Sequence, residues 1–147
     1  MDKVVHFEIP FDNEKKAKEF YSKVFGWKIT EVPDMSYNMV HTAEVDENQM
    51  PTEAGAINGG MYERGEKGSH SPVIVIDVAN IDEKIKIIKK VGGEITMAKV
   101  TVGDMGFYAQ FKDSEGNILG IWEQIRKKDN REKKREDKEM EIEVAAV

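Results

Sequence analysis

From Val4 to Ile9 the side chains alternate, with Val5, Phe7 and Ile9 on one face of a strand and Val4, His6 and Glu8 on the other. The first set predicts packing beneath a helix, and the second turns polar groups toward a cavity or solvent. Pro10-Phe11-Asp12-Asn13 is expected to break the strand, with Asp12 or Asn13 capping the next helix. Ala17, Phe20, Tyr21, Val24 and Phe25 then recur at three- and four-residue spacing, an amphipathic helix that Gly26 ends. Residues 27–32 read as a second strand and Pro33-Asp34 as a turn. Residues 37–45 read as a third strand, with Tyr37, Met39, His41 and Ala43 on one face. A polar loop over 46–53 leads into a closing strand at 55–62.

The order then repeats. Residues 72–78 read as a strand, and Asn80 caps a helix over 81–91 with Ile81, Ile85, Ile88 and Val91 as its apolar stripe. Gly92-Gly93 ends that helix, strands follow at 94–102 and 107–111, and Asp113-Ser114-Glu115-Gly116 turns into a closing strand ending near Gln124. That strand echoes one 61 residues earlier: the Gly-x-Ile-x-Gly pattern of 116–120 repeats at 55–59, with Trp122 answered by Met61. Internal repetition of this kind predicts an α+β fold of two tandem βαβββ modules, 3–63 and 71–125. The modules form one domain over 1–125, joined by a connector at 63–69 and followed by a charged tail, 126–147, that is either a solvated helix or disordered.

Charge narrows the partners. The 147 residues carry a net charge of −6. The tail holds 8 basic and 7 acidic residues, which leaves 14 basic against 21 acidic in residues 1–125. An acidic body argues against nucleic acid, whose non-specific binding needs a cationic surface. The sequence contains no cysteine, so disulfides, thiolate nucleophiles and zinc–thiolate sites are excluded. No leader-like segment and no apolar run near the ~20 residues of a membrane span is present, so no membrane partner and a cytoplasmic location are expected. Neither a phosphate-binding loop nor a serine-hydrolase elbow occurs.

His6 followed by Glu19-Phe20-Tyr21 and Val24-Phe25-Gly26-Trp27, then Val91-Gly92-Gly93-Glu94-Ile95 and Phe111 to Asn117, resembles the glyoxalase/bleomycin resistance/extradiol dioxygenase (vicinal oxygen chelate) superfamily. The resemblance spans residues 3–125. It implies two modules curling one sheet around a cleft, with helices outside, and often a homodimer. In metal-dependent members four cleft positions, on the first and last strand of each module, hold a divalent metal through His, Gln and Glu. Carried over, these positions fall on His6, Gly59, Pro72 or Val73, and Gly120, so one of the four is a ligand type. A stable catalytic site uses about three protein ligands.

These readings leave a set of candidates. His6, Glu8 and His41 could together form a two-histidine, one-carboxylate metal site. Glu8 is a candidate general base if the cleft desolvates it. Gly59 and Gly120 would open a pocket floored by Met61, Trp122 and Tyr108, with Gln110 and Gln124 orienting a ligand by hydrogen bonds. The leading expectation is a protein that binds a small organic molecule in a metal-poor cleft, either sequestering it or acting as a lyase or isomerase. The alternatives are a divalent-metal-dependent lyase or dioxygenase using His6 with non-standard ligands, and a non-catalytic interaction or regulatory subunit.

Overall fold

A computed structural model describes residues 1–65, 69–125 and 130–146. In chain order the elements are β1 (Lys3–Phe11), α1 (Glu14–Phe25), β2 (Lys28–Glu31), β3 (Tyr37–His41), β4 (Gly59–Glu63), β5 (Val73–Asp77), α2 (Ile81–Lys90), β6 (Glu94–Val102), β7 (Gly106–Lys112), β8 (Ile118–Gln124) and α3 (Asn130–Ala145). The repeated βαβββ order is therefore present, and the fold is α+β. The centre of the connector, 66–68, and the start of the tail, 126–129, lie outside the described residues. The rest of the tail supplies α3, the helical one of its two expected forms.

One unclosed, curled sheet carries all eight strands in the order β2-β3-β4-β1-β5-β8-β7-β6. Each module closes on itself by a parallel pair, β1 with β4 and β5 with β8. The modules meet through the antiparallel pair β1–β5, which has a bulge between Val4 and His6. The two module helices, α1 and α2, start the same way: Asn13 accepts from the Lys16 N–H and Asn80 from the Glu83 N–H, satisfying donors that the first turn leaves orphaned.

Both helices cover the same sheet face. Phe7, Ile9, Phe11, Val40 and Met61 pack beneath Ala17 and Tyr21 of α1. Ile76, Ala109, Phe107, Phe111 and Ile121 pack with Ile81, Ile85 and Ile88 of α2. The α1 stripe is narrower than its spacing predicts: Phe20, Val24 and Phe25 are more than half exposed. Trp27 accounts for this, because its indole stacks on Tyr21 at 5.0 Å and takes the place beside the sheet that the end of the helix would fill.

Three element boundaries differ from expectation; one is β4, which begins at Gly59 rather than at residue 55, because Gly55 sits in a turn at positive φ. β1 runs through Pro10 to Phe11, because β5 stops pairing at Glu8 while β4 continues to Phe11. The proline thus lacks its donor where one neighbouring strand has already ended. β3 stops at His41. Beyond it the Asn58 side chain accepts from the Thr42 and Ala43 N–H groups and donates to the Ala43 carbonyl, replacing the ladder with a side-chain staple. β6, at one open edge, is bulged twice, between Ile95 and Met97 and between Met97 and Val100.

Candidate functional site

Strand alternation decides which residues face away from the helices. On β1 these are His6 and Glu8. Across β4, Glu8 pairs with Gly60, and Gly60 pairs in turn with Met39 of β3. In the second module Val75 pairs with Gly120, which pairs with Gln110; Trp122 pairs with Tyr108. The inner face therefore carries His6, Glu8, Tyr37, Met39, Gly60, Tyr62, Val73, Val75, Tyr108, Gln110, Gly120 and Trp122. Gln124 follows on the same face but is exposed at the strand end.

Two expected site residues do not belong here. Met61 is buried in the core under α1, and Gly59 faces the same way, with Phe7 where its Cβ would be. The 61-residue echo is the cause. The helix caps Asn13 and Asn80 relate Glu8 to Val75, and the strand pairings then relate Gly60, not Gly59, to Gly120. The true offset of the closing strands is 60 residues. On that alignment Met61 answers Ile121, each buried beneath its own helix, and Tyr62 answers Trp122. The signal was present in the sequence as Gly-apolar-aromatic-Glu, at Gly60–Glu63 and again at Gly120–Glu123.

The inner face converges on Glu8. The Tyr108 hydroxyl donates to Glu8 Oε1 and accepts from Gln110 Nε2 at 2.8 Å. The Tyr37 hydroxyl lies 2.9 Å from His6 Nε2 and also hydrogen-bonds Glu8. A continuous chain thus runs His6–Tyr37–Glu8–Tyr108–Gln110, satisfied at every link when His6 carries its proton on Nε2. Tyr37 and Tyr108 are counterparts, since Tyr37 pairs with Tyr62 as Tyr108 pairs with Trp122. Each sits over a glycine. A Cβ on Gly60 would lie 1.7 Å from the Tyr37 hydroxyl oxygen, and one on Gly120 would lie 2.8 Å from the Tyr108 ring. Tyr37 was legible as a strand residue on the right face, but nothing in its sequence position tied it to Glu8.

Burial sets the ionisation of this cluster. Glu8 is 7% exposed. Loss of solvent raises its carboxyl above the ordinary value, against the opposing pull of hydrogen bonds from Tyr108 and Tyr37. Desolvation lowers His6 to about 4, so its ring is neutral at physiological pH. Both phenols are pushed up, first by burial and then by the charge on Glu8, so they stay protonated as donors. The result is a desolvated carboxylate held among neutral hydrogen-bonding groups.

The metal site implied by the resemblance does not fit these residues. At its four positions stand His6, Gly60, Val73 and Gly120. Among the described residues no three His, Asp or Glu side chains form a group able to hold a metal ion. His41 does not join His6 and Glu8, because β4 lies between β3 and β1, and two strand spacings separate it by about 10 Å. Glu123 is taken up elsewhere, accepting from the Ile81 N–H at the start of α2. The expected His6–Glu8–His41 ligand set is therefore not assembled.

Side chains fill the inner face at Glu8. Two hollows of about 350 and 260 Å³ lie elsewhere, one on the outer surface of α1 and one beside the β1–α1 turn, where Tyr37 alone of the cluster contributes to the wall. Glu8 is covered by the residues around it, with the Tyr108 hydroxyl on one of its oxygens. Among the described residues no helix is long and apolar enough to cross a membrane.

Comparison with known proteins agrees with the fold. Residues 3–43 match the sequence model of the bleomycin resistance protein-like N-terminal family. No curated protein sequence matches the chain. A glyoxalase/bleomycin resistance protein/dioxygenase superfamily member from Vibrio splendidus 12B01 superposes with a TM-score of 0.57 at 14% identity, over 85% of this chain and 100% of that one. A Streptomyces coelicolor methylmalonyl-CoA epimerase in complex with 2-nitronate-propionyl-CoA gives 0.59 at 17% identity, over 84% and 98%. The methylmalonyl-CoA epimerase of Mycobacterium tuberculosis gives 0.59 at 13% identity, over 84% and 88%. The fold, together with the match over residues 3–43, is that of the glyoxalase/bleomycin resistance protein/dioxygenase superfamily.

Proposed function

We propose that this chain binds a small organic molecule on the inner face of the sheet and moves a proton through Glu8, as an isomerase or lyase. The observation that carries the reading is the buried Glu8 carboxylate, with its raised pKa and the protonated phenols around it. Desolvation of this kind brings a carboxylate toward the basicity that proton abstraction at neutral pH needs. Likeness to two epimerases is compatible with an isomerase. His6 and Gln110 anchor the ends of the hydrogen-bonded chain, and Trp122 and Met39 supply apolar contact for the ligand.

The test is exchange of carbon-bound hydrogen. Small carbonyl compounds (2-hydroxy ketones, 2-oxo acids and acyl thioesters) are incubated with the protein in D₂O and followed by proton NMR. Catalysed exchange at the carbon next to the carbonyl is expected for at least one class, falling on the order of 100-fold in Glu8→Gln. No exchange across the panel, or exchange that survives the substitution, overturns the reading.

A further inference from the structure

Both positions at which the resemblance implies a carboxylate on the closing strands are glycine, and both glycines lie beneath a tyrosine from the neighbouring strand. Gly60 has no space for a Cβ because the Tyr37 hydroxyl is there, and Gly120 has almost none because of Tyr108. The two glycines are more than an erased site: they are what lets two phenols lean across the strand and bring their oxygens to Glu8. The arrangement occurs once in each module, yet the acid stands in one module only, since Val75 is the counterpart of Glu8 and Val73 that of His6. Two related donors therefore flank a single base.

We propose that Tyr37 and Tyr108 are catalytic residues that act as a paired oxyanion cradle, occupying the place of the superfamily's metal as the electrophilic pole of the site. The idea rests on the reading of Glu8 as a base. In the step it implies, Glu8 takes the proton from the carbon next to a ligand carbonyl. The C–H electron pair becomes the new C=C bond, and the carbonyl π pair moves onto oxygen. Tyr37 and Tyr108 turn their hydrogen bonds from Glu8 to that oxygen, while Glu8, now protonated, no longer needs them. Returning the proton from Glu8 to a different carbon, the far end of a dienolate formed from a β,γ-unsaturated carbonyl ligand, completes a double-bond isomerisation; expelling a leaving group, with its bonding pair, from the carbon β to the carbonyl completes an elimination. No oxidant, reductant or co-reactant is required. The Gln110 amide, by donating to the Tyr108 oxygen at 2.8 Å, strengthens that phenol as a donor. Preorganised donors at a developing oxyanion are commonly the largest electrostatic contribution to such a step.

A planar oxyanion serves as the probe. 4-Nitrophenolate is titrated by its visible absorbance against wild type, Glu8→Gln, and Glu8→Gln combined with Tyr37→Phe or Tyr108→Phe. Glu8→Gln mimics the protonated base, so it should bind the anion at least about 10-fold more tightly than wild type. Loss of either hydroxyl from that background should weaken binding by about 10- to 100-fold, the range for a hydrogen bond to a charged group. A cluster that is only structural would alter melting temperature and leave anion affinity unmoved. Should a Tyr→Phe chain fail to fold, Gln110→Met in the Glu8→Gln background removes the supporting donor and is expected to weaken anion binding severalfold. The proposal is overturned if Glu8→Gln gives no gain in affinity, or if the phenylalanine or methionine variants bind as Glu8→Gln does. Because deuterium exchange reports on Glu8 and the loss of anion affinity on the phenols, a failure of the cradle can be told apart from a failure of the base.

Discussion

His6 and Glu8 stand two residues apart on one strand and respond to acid in opposite senses. Burial holds His6 at a pKa of about 4 against an ordinary 6.5. Between these values the unfolded chain takes up a proton that the folded chain refuses. His6 therefore lowers stability as pH falls from about 6.5 to about 4, by up to about 3 kcal/mol. Glu8 has a folded pKa above its ordinary 4.5, so its penalty is present at neutral pH and disappears as pH falls through the folded value toward 4.5. Urea unfolding across this range should show the first slope flattened in His6→Asn and the second contribution removed in Glu8→Gln. A wild-type acid limb unchanged by His6→Asn would mean that the imidazole is more solvated than the structure implies.

At the scale of elements, the two neighbouring glycines of β4 make different demands. Gly60→Ala drives a methyl into the far end of the Tyr37 side chain, whereas Gly59→Ala drives one into the Phe7 carbonyl, 2.5 Å away, as well as the ring. Both should destabilise, by about 1–3 kcal/mol. Only the first should be relieved by trimming its partner, so Gly60→Ala with Tyr37→Val should fall well short of additivity in melting experiments, and Gly59→Ala with Phe7→Leu should not. These same residues mark where the sequence was readable. Caps, helices and the repeated strand order depend on local patterns, and Asn13, Gly26 and Asn80 could be read directly. Register between distant strands leaves a weaker trace: a Gly-x-Ile-x-Gly echo outweighed the shorter Gly-apolar-aromatic-Glu match, and one residue of slip turned Met61 and Gly59 to the wrong face. Tyr37 escaped for a related reason, since its link to Glu8 exists only once β3, β4 and β1 lie side by side.

For the molecule as a whole, the cluster at Glu8 spans the seam between modules. Glu8, His6 and Tyr37 come from the first, and Tyr108 and Gln110 from the second. It can form only when β1 and β5 have paired. The same sheet remains open at both ends, with the four-residue β2 at one edge and the nine-residue β6 at the other. A long free edge is an invitation to pair with another chain. Here the two bulges of β6 interrupt the regular row of donors and acceptors that a foreign strand would need, while still turning Ile95 toward α2 and Met97 toward the inner face. Deleting Thr96 and Ala98 together should straighten that edge and produce concentration-dependent association beyond that of wild type in light scattering; a double deletion that stays folded and associates no more than wild type would show that the bulges do not protect it. The irregularities of β6 thus break the longer of the two edges, where the risk of templated assembly is greater.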